Sequence, residues 1–140
     1  MVGLTRKDFQ TLAEDRLADA QALLNTQSNW SGAYYISGYA VECALKACIC
    51  KTIQAEQWPD EPDWSKKLFI HDLEKLSRLA RISDELTTSA PAGVQKNWII
   101  TKDWSEQSRY ETYVQQDAEK LVGAISDAQE GVMAWLRQRW

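Results

Sequence analysis

The chain has 140 residues, a formal net charge of −4, 44% hydrophobic residues and a single His. This length is typical of one domain, and the apolar share is far too high for a disordered chain. No stretch approaches about 18 consecutive apolar residues, so we expect no membrane-spanning segment. The charged start MVGLTRKDF lacks the pattern of a secretory signal, which makes the cytoplasm the expected location. No basic block suited to non-specific duplex binding is present.

Two segments in the first half predict helices. From Thr5 to about Gln27, apolar residues recur at offsets of three and four, and Thr5 with Asp8 has the spacing of a capping box. A second helix is predicted from Ser31, as its N-cap, to about Thr52. This second segment is apolar or small on nearly every side, which is typical of a buried helix.

The three prolines lie between residues 59 and 91 and interrupt the helical pattern. They predict an irregular link over residues 55–70 and a second linker at Thr87–Pro91. Between these linkers, a third helix is predicted from His71 to about Ile82.

The pattern after the second linker is helical to the end of the chain. A short helical piece contains Val94, Trp98 and Ile99, and a long last helix is predicted to begin at Ser108, with Glu111 in the capping-box position. This last helix has an unbroken heptad seam of Val114, Ala118, Leu121, Ile125, Ala128, Val132 and Trp135. Gly123 and Gly131 weaken the helical pattern, and Gly131 is a candidate for a kink or an early stop. No segment alternates like a strand. The sequence therefore predicts an all-α fold, an up-and-down bundle of four main helices plus one or two short ones, in a single domain over residues 1–140.

Few residues are suited to catalysis or to metal binding. His71 is the only imidazole, and a His at a helix start commonly has a structural role. The spacing of Cys43, Cys48 and Cys50 resembles no zinc site and suits small buried hydrophobes. Glycine-rich phosphate loops are absent. We therefore expect no metal and no cofactor.

Glu42 and Lys46 are nearly the only charges inside the second predicted helix, at the favourable i,i+4 spacing. They form either an ordinary solvated pair or a polar pair kept in a cleft or at a dimer seam. Both interpretations fit the sequence.

The tryptophans also allow two interpretations. Trp98, Trp104 and Trp135 lie at helical or nearly helical positions and are predicted to be core residues. A second group has no obvious partner and forms either a lid folded back on the bundle or an exposed surface for an interface or for base stacking. This second group is Trp58, Trp64 and Trp140.

Several stretches together resemble the HEPN family of bacterial and archaeal all-α domains. They are SGAYYISGYAVECALKACI, FIHDLEKL, NWIITKDWSEQSRYE and GVMAWLRQRW, within a likeness that spans about residues 10–140. The resemblance implies four long helices with a short fifth, a symmetric homodimer built through helix faces, and a polar cleft at or near the dimer seam.

The resemblance implies one of two functions. Many HEPN members are metal-independent endoribonucleases or toxins that carry an Arg followed, after four to six residues, by a His. Others lack this motif and bind nucleotides, RNA or a partner minimal nucleotidyltransferase. Here His71 would need an Arg at positions 64 to 66, and Arg109 would need a His at positions 114 to 116; neither is present. The family ribonuclease motif is therefore missing.

Arg109 is a candidate anion ligand on other grounds. It follows the predicted N-cap Ser108, and the free N–H groups of a helix start favour an anion. With Tyr110 beside it, Arg109 is suited to bind a phosphate while the tyrosine stacks on a base. The alternative is that Arg109 ties the helix start to Glu106 or to a carbonyl group.

We therefore expect a non-catalytic, homodimeric HEPN-type module that binds a nucleotide, an RNA end or a minimal nucleotidyltransferase. Such a module is compatible with a role in a toxin–antitoxin or defence pair. One alternative is a divergent ribonuclease in which His71 supplies the imidazole, and another is a purely structural assembly module. The residues expected to line the cleft are Arg109, Tyr110, Glu42, Lys46 and His71.

Overall fold

Six α-helices make up most of the part of the chain that the computed structural model describes, residues 4–52 and 69–140. Four of them have ten or more residues and two are shorter. In chain order they are α1 (Arg6–Asn25), α2 (Trp30–Thr52), α3 (Leu73–Leu79), α4 (Ala92–Thr101), α5 (Gln115–Ser126) and α6 (Val132–Leu136). One turn of π-helix at Glu85–Ser89 and a 3₁₀ helix at Glu106–Tyr110 complete the described elements. These residues contain no strand, so the predicted all-α helical bundle is confirmed.

The predicted capping box sets the start of α1. Thr5 Oγ1 accepts the N–H of Asp8 at 3.1 Å, and Asp8 Oδ2 accepts the N–H of Thr5 at 2.8 Å. This reciprocal pair satisfies two backbone donors that the helix start would otherwise leave free. The N–H of Thr5 also lowers the pKa of Asp8, because it favours the charged carboxylate.

The hydrophobic core is built around α2. Buried residues lie on all sides of its second half, from Ser37 to Cys50, as its all-round apolar sequence predicts. Side chains from every other α-helix join the same cluster. Trp98, Trp104 and Trp135 are buried, which confirms their predicted core positions. Within the described ranges, no helix combines the length and the apolar character that crossing a bilayer requires.

The C-terminal residue folds back on the bundle. Trp140 is half-buried against the core, and the side-chain amide of Gln10 donates to its carbonyl oxygen at 3.2 Å. This packing fits the folded-back interpretation for Trp140. Trp58 and Trp64 lie outside the described residues, as does most of the predicted link between helices.

The predicted last helix is interrupted before Gly131, where the sequence allowed a kink or an early stop, and its predicted start at Ser108 is wrong. The chain instead forms the 3₁₀ helix, then α5, and then the separate helix α6. Ser105 caps the 3₁₀ helix by accepting the N–H of Gln107 at 3.1 Å, whereas Ser108 is buried and caps nothing. Two residues of the heptad seam, Val114 and Ala128, are exposed, while the other five are buried. The five buried residues of the seam therefore lie on two separate helices, α5 and α6.

A side chain and a glycine together end α5. Asp127 Oδ1 accepts the backbone N–H groups of Glu130 at 2.7 Å and Gln129 at 3.0 Å. These bonds offer the backbone an alternative to the helical ladder. At Gly131 a Cβ atom would overlap the backbone of Asp127, so only glycine allows this close approach.

Two other boundaries differ from the predicted ones. Helix α2 begins at Trp30, so Ser31 lies inside it, and the Ser31 hydroxyl accepts the backbone N–H of Tyr113 at 2.8 Å instead of capping. Helix α3 begins after Asp72, whose carboxylate accepts the N–H of Lys75 at 2.9 Å. Consequently the predicted start of this helix at His71 is wrong by two residues, and His71 precedes the helix. The π-helical turn also occupies part of the predicted second linker.

We expect the turn at Asp127 to make the stability of the fold depend on acidic pH. The N–H groups of Glu130 and Gln129 hold the pKa of Asp127 below its usual value of 3.8, because they stabilise the carboxylate. A depressed pKa in the folded state means that this stabilisation is present above about pH 4 and is lost as the pH falls through the folded-state pKa. The thermal midpoint of Asp127→Asn should therefore fall less than that of the wild type between about pH 5 and about pH 2. Equal falls in both proteins would contradict this expectation.

Candidate functional site

A buried ion pair on α2 is hydrogen-bonded to a partly exposed histidine. Lys46 Nζ donates to Glu42 Oε2 at 3.0 Å, and His71 Nδ1 lies 3.0 Å from Glu42 Oε1. The side chains of Lys46 and Glu42 are 1% and 3% exposed, whereas that of His71 is 46% exposed. The solvated-pair interpretation is therefore wrong, and the structure brings three of the predicted site residues together.

The carboxylate of Glu42 sets the hydrogen-bond roles in this cluster. A carboxylate only accepts, so Lys46 donates to one oxygen and the Nδ1–H of His71 donates to the other. Nε2 of the imidazole then has no partner among the described residues. A buried charge is tolerated where it is paired and hydrogen-bonded, as Glu42 is here. The ion pair thus acts as an internal anchor that fixes the orientation of a surface imidazole.

His71 lines a surface depression of about 370 Å³ with groups from two other elements. Lys75 on α3 contributes an ammonium group that has no hydrogen-bond or ion-pair partner within the described ranges. The 3₁₀ helix contributes the carboxylate of Glu106, and the segment before it contributes Trp104. The depression therefore combines an imidazole and a free ammonium with two carboxylates, those of Glu106 and Asp72, and with the edge of a buried indole. The remaining lining residues are Ile70 and Ser105.

Trp104 packs against α2. Its residue is 3% exposed, and Tyr35 stacks on it with the ring centroids 6.0 Å apart. At Gly38 a Cβ atom would overlap the indole ring, so the helix backbone lies directly against it. The indole N–H and the hydroxyl of Ser108 are buried without hydrogen-bond partners in the described part of the chain. These two polar groups, four residues apart in the chain, are therefore buried and unsatisfied.

Arg109 and Tyr110 lie at the end of the 3₁₀ helix, and both are exposed. The guanidinium carbon of Arg109 is 5.2 Å from the ring centroid of Tyr110. Since side chains three residues apart eclipse in a 3₁₀ helix, Arg109 shares a face with Glu106. No ion pair joins Arg109 to Glu106 or to another described residue. The helix-start argument for anion binding is wrong, because α5 begins only at Gln115.

The cysteines contribute no reactive group. Cys43, Cys48 and Cys50 are all buried and form no disulfide, in agreement with their predicted role as small hydrophobes. Burial raises the pKa of Cys43 and of Cys48 to about 12, because it disfavours the thiolate. Protonated thiols are poor nucleophiles and poor metal ligands. Over residues 4–52 and 69–140, no group of three or more His, Cys, Asp or Glu side chains is placed to hold a metal ion.

Of the seven lining residues of the His71 depression, only His71 was predicted as a site residue. Three of the six others carry polar groups that the proposed site uses or adjoins: Lys75, Ser105 and Glu106. In the sequence, Lys75 is one of several surface lysines, and only its spacing of four residues from His71 connects the two. The other two lie far along the chain and approach His71 only because the 3₁₀ helix contacts α2. No local pattern carries that information.

Comparison with models of known protein families found no match to this chain, and comparisons with curated proteins and with solved structures found none either. What the site can bind follows from its chemistry. An ammonium group and an imidazole suit an anionic oxygen, the partly exposed side chain of Ile70 suits the apolar face of a base, and a carboxylate accepts hydrogen bonds from hydroxyl or amino groups.

Proposed function

We propose that this chain is a non-catalytic, homodimeric binding module of the HEPN type, whose ligand is a nucleotide or an RNA end. The ligand would occupy the depression beside His71. One observation carries the proposal. The buried Lys46–Glu42 pair is hydrogen-bonded to the imidazole of His71, which lines the same depression as the free ammonium group of Lys75. Burying two charges is costly, and here the arrangement fixes a surface group at the edge of a depression.

A nucleotide matches the groups that line this depression. Lys75 would donate to a phosphate oxygen, and the base would lie against the partly exposed side chain of Ile70. Glu106 would accept a hydrogen bond from a ribose hydroxyl. Arg109, on the same face as Glu106, would reach a further phosphate of an RNA end. The net charge of −4 disfavours long duplexes, since non-specific duplex binding depends on many phosphate contacts.

Exposed apolar side chains near Arg109 support the homodimer. Tyr110 is 75% exposed and Val114 is 62% exposed, although both are large and apolar. Such side chains are common at contact surfaces. A two-fold interface through this surface would bring the two copies of Arg109 close to the seam. We expect a dimer in sedimentation; a monomer at every concentration would remove the homodimer from the proposal.

A divergent ribonuclease is the second candidate, and one observation favours it. Glu42 accepts from Nδ1 of His71 and leaves Nε2 at the surface, an arrangement in which a carboxylate orients an imidazole for proton transfer. Against this candidate, the chain lacks the Arg…His motif that the family resemblance implies for a ribonuclease. The binding module therefore remains the first proposal.

Binding of adenosine 5′-monophosphate to the full chain, measured by calorimetry, tests the proposed site. Lys75→Ala should weaken binding by at least about tenfold, because a hydrogen bond to a charged group contributes about 1.5–3 kcal/mol. Arg78→Ala is the matched control, since Arg78 is an exposed cation on the same helix that lines a different depression. Adenosine, which lacks the phosphate, should bind more weakly and respond little to Lys75→Ala.

Two outcomes would count against this proposal. Absence of saturable binding, or equal losses in Lys75→Ala and Arg78→Ala, would contradict the site. Cleavage of single-stranded RNA by the wild type that disappears in His71→Ala would establish the ribonuclease instead. The binding module predicts that neither protein cleaves RNA.

A further inference from the structure

A second depression, of about 400 Å³, lies between α2, α4 and α5. It shares no lining residue with the depression beside His71. Its walls are aromatic on one side and aliphatic on another, with charged groups between them. The lining residues are Tyr34, Ile99, Ile100, Asp103, Tyr113, Asp117, Lys120 and Leu121.

The aromatic wall is a fixed pair of tyrosines. The rings of Tyr34 and Tyr113 stack with their centroids 3.6 Å apart and their planes 11° from parallel. Ser31 holds the backbone of Tyr113 by accepting its N–H at 2.8 Å, and the Tyr113 hydroxyl donates to Glu111 at 2.6 Å. The stack covers one face of each ring, and both tyrosines are partly exposed where they line the depression.

The potential around this tyrosine pair is negative. Asp103 and Asp117 line the depression, and Asp103 has no ion-pair or hydrogen-bond partner in the described part of the chain. Lys120 is the one cation among the lining residues. Burial raises the pKa of Tyr34, and the negative charges of Asp117, Glu111 and Asp103 add to this rise. A positive group in the depression would therefore be favoured over a negative one.

The aliphatic wall includes a side chain that the fold leaves in water. Ile99 on α4 is 61% exposed, although its neighbour Trp98 is buried in the core. Ile100 and Leu121 extend the same wall below it. An apolar stem lying along these residues would remove Ile99 from water, and burial of apolar surface is favourable.

We propose that this depression binds an organic cation with an apolar stem, of the alkylammonium or alkylguanidinium class. The positive head lies against the tyrosine pair, near Asp103 and Asp117, where cation–π attraction adds to charge pairing. The stem lies against Ile99. The cation is either a free amine or a Lys or Arg side chain of another protein chain. This inference does not depend on the proposed nucleotide site.

Titration of the isotope-labelled full chain with four small probes, followed by NMR, tests the proposal. Saturable shifts of amide signals from the α4–α5 region are expected with n-butylammonium and with n-butylguanidinium. n-Butanol has the stem without the charge, and butyrate has the opposite charge; both should bind at least about fivefold more weakly. Butanol binding as tightly as butylammonium, or no saturable shift with either cation, would overturn the proposal.

A variant pair connects the binding to the carboxylates. Asp103→Asn should weaken n-butylammonium binding about two- to fivefold, the range for an exposed charge pair. Asp84→Asn is the control, because Asp84 lines a different depression and should leave binding unchanged. Asp103 is exposed and has no described partner, so its replacement should not disturb folding. Equal affinities in both variants would overturn the role of Asp103.

The source of the cation is decided by a further comparison. A glycine-flanked peptide with a single internal Lys is titrated beside free n-butylammonium. Tighter binding of the peptide identifies a side chain of a partner, and tighter binding of the free amine identifies a small molecule. If neither displaces the other, they occupy different places, which would contradict a shared cation site.

Discussion

Lys46→Met is expected to lower the free energy of unfolding by about 3–5 kcal/mol. Methionine has a similar length but no charge, so the carboxylate of Glu42 would lose the ammonium that lies 3.0 Å from it. The Glu42 side chain is 3% exposed and cannot recover this interaction from water. Among the described residues, only the half-exposed His71 would remain within hydrogen-bond distance of this carboxylate. Denaturant unfolding of the full chain, followed by circular dichroism, measures the loss.

Lys75→Met is the matched control, because the same change is made at a lysine whose ammonium has no described partner. It should alter the free energy of unfolding by less than about 0.5 kcal/mol. The double variant Glu42→Gln/Lys46→Met removes both charges and should cost less than the sum of its two single changes, because neither charge is then left alone. Additive losses, or a loss below about 1 kcal/mol in Lys46→Met, would contradict the view that the pair is mutually dependent.

Features that depend on neighbouring residues could be predicted from the sequence. The capping box of Thr5 and Asp8 needs only three residues of separation, and it is present as predicted. The burial of α2 could be predicted because its apolar residues lie on every side, so that any packing must cover it. The heptad spacing likewise predicted the core positions of α5 and α6.

Two kinds of feature could not be predicted: those in which a side chain competes with the helix for backbone hydrogen bonds, and those that depend on contacts between residues far apart in the chain. The helix pattern continues through Asp127, but its carboxylate takes the N–H groups of the next turn and ends α5. The i,i+4 spacing of Glu42 and Lys46 is the same for a solvated pair and for a buried one. What distinguishes them is His71, 29 residues from Glu42, together with the helices that cover α2. Tertiary packing therefore determines the arrangement of the site residues, whereas short-range sequence patterns determine most of the helices.

Gly38→Ala is expected to lower the free energy of unfolding by up to about 2 kcal/mol, although alanine is the better helix former. Gly38 lies in the middle of α2, where an added methyl group would overlap the indole ring of Trp104. Overpacking of this kind costs about 1–3 kcal/mol, which exceeds the roughly 1 kcal/mol that alanine gains over glycine in a helix. Tyr35 stacks on the same indole, and the ring is 3% exposed, so Trp104 has little room to move aside.

Gly123→Ala separates the effect of this contact from the effect of helix propensity. Gly123 lies inside α5, and a Cβ atom there would meet nothing within 4 Å, so the same change should stabilise the fold by up to about 1 kcal/mol. Stabilisation by both changes would mean that Trp104 yields easily and that the contact does not fix it. Because Trp104 lines the depression beside His71, Gly38→Ala should also weaken the binding of adenosine 5′-monophosphate, whereas Gly123→Ala should not. Opposite signs in stability, together with a binding loss in one variant only, would connect the packing of α2 to the proposed site.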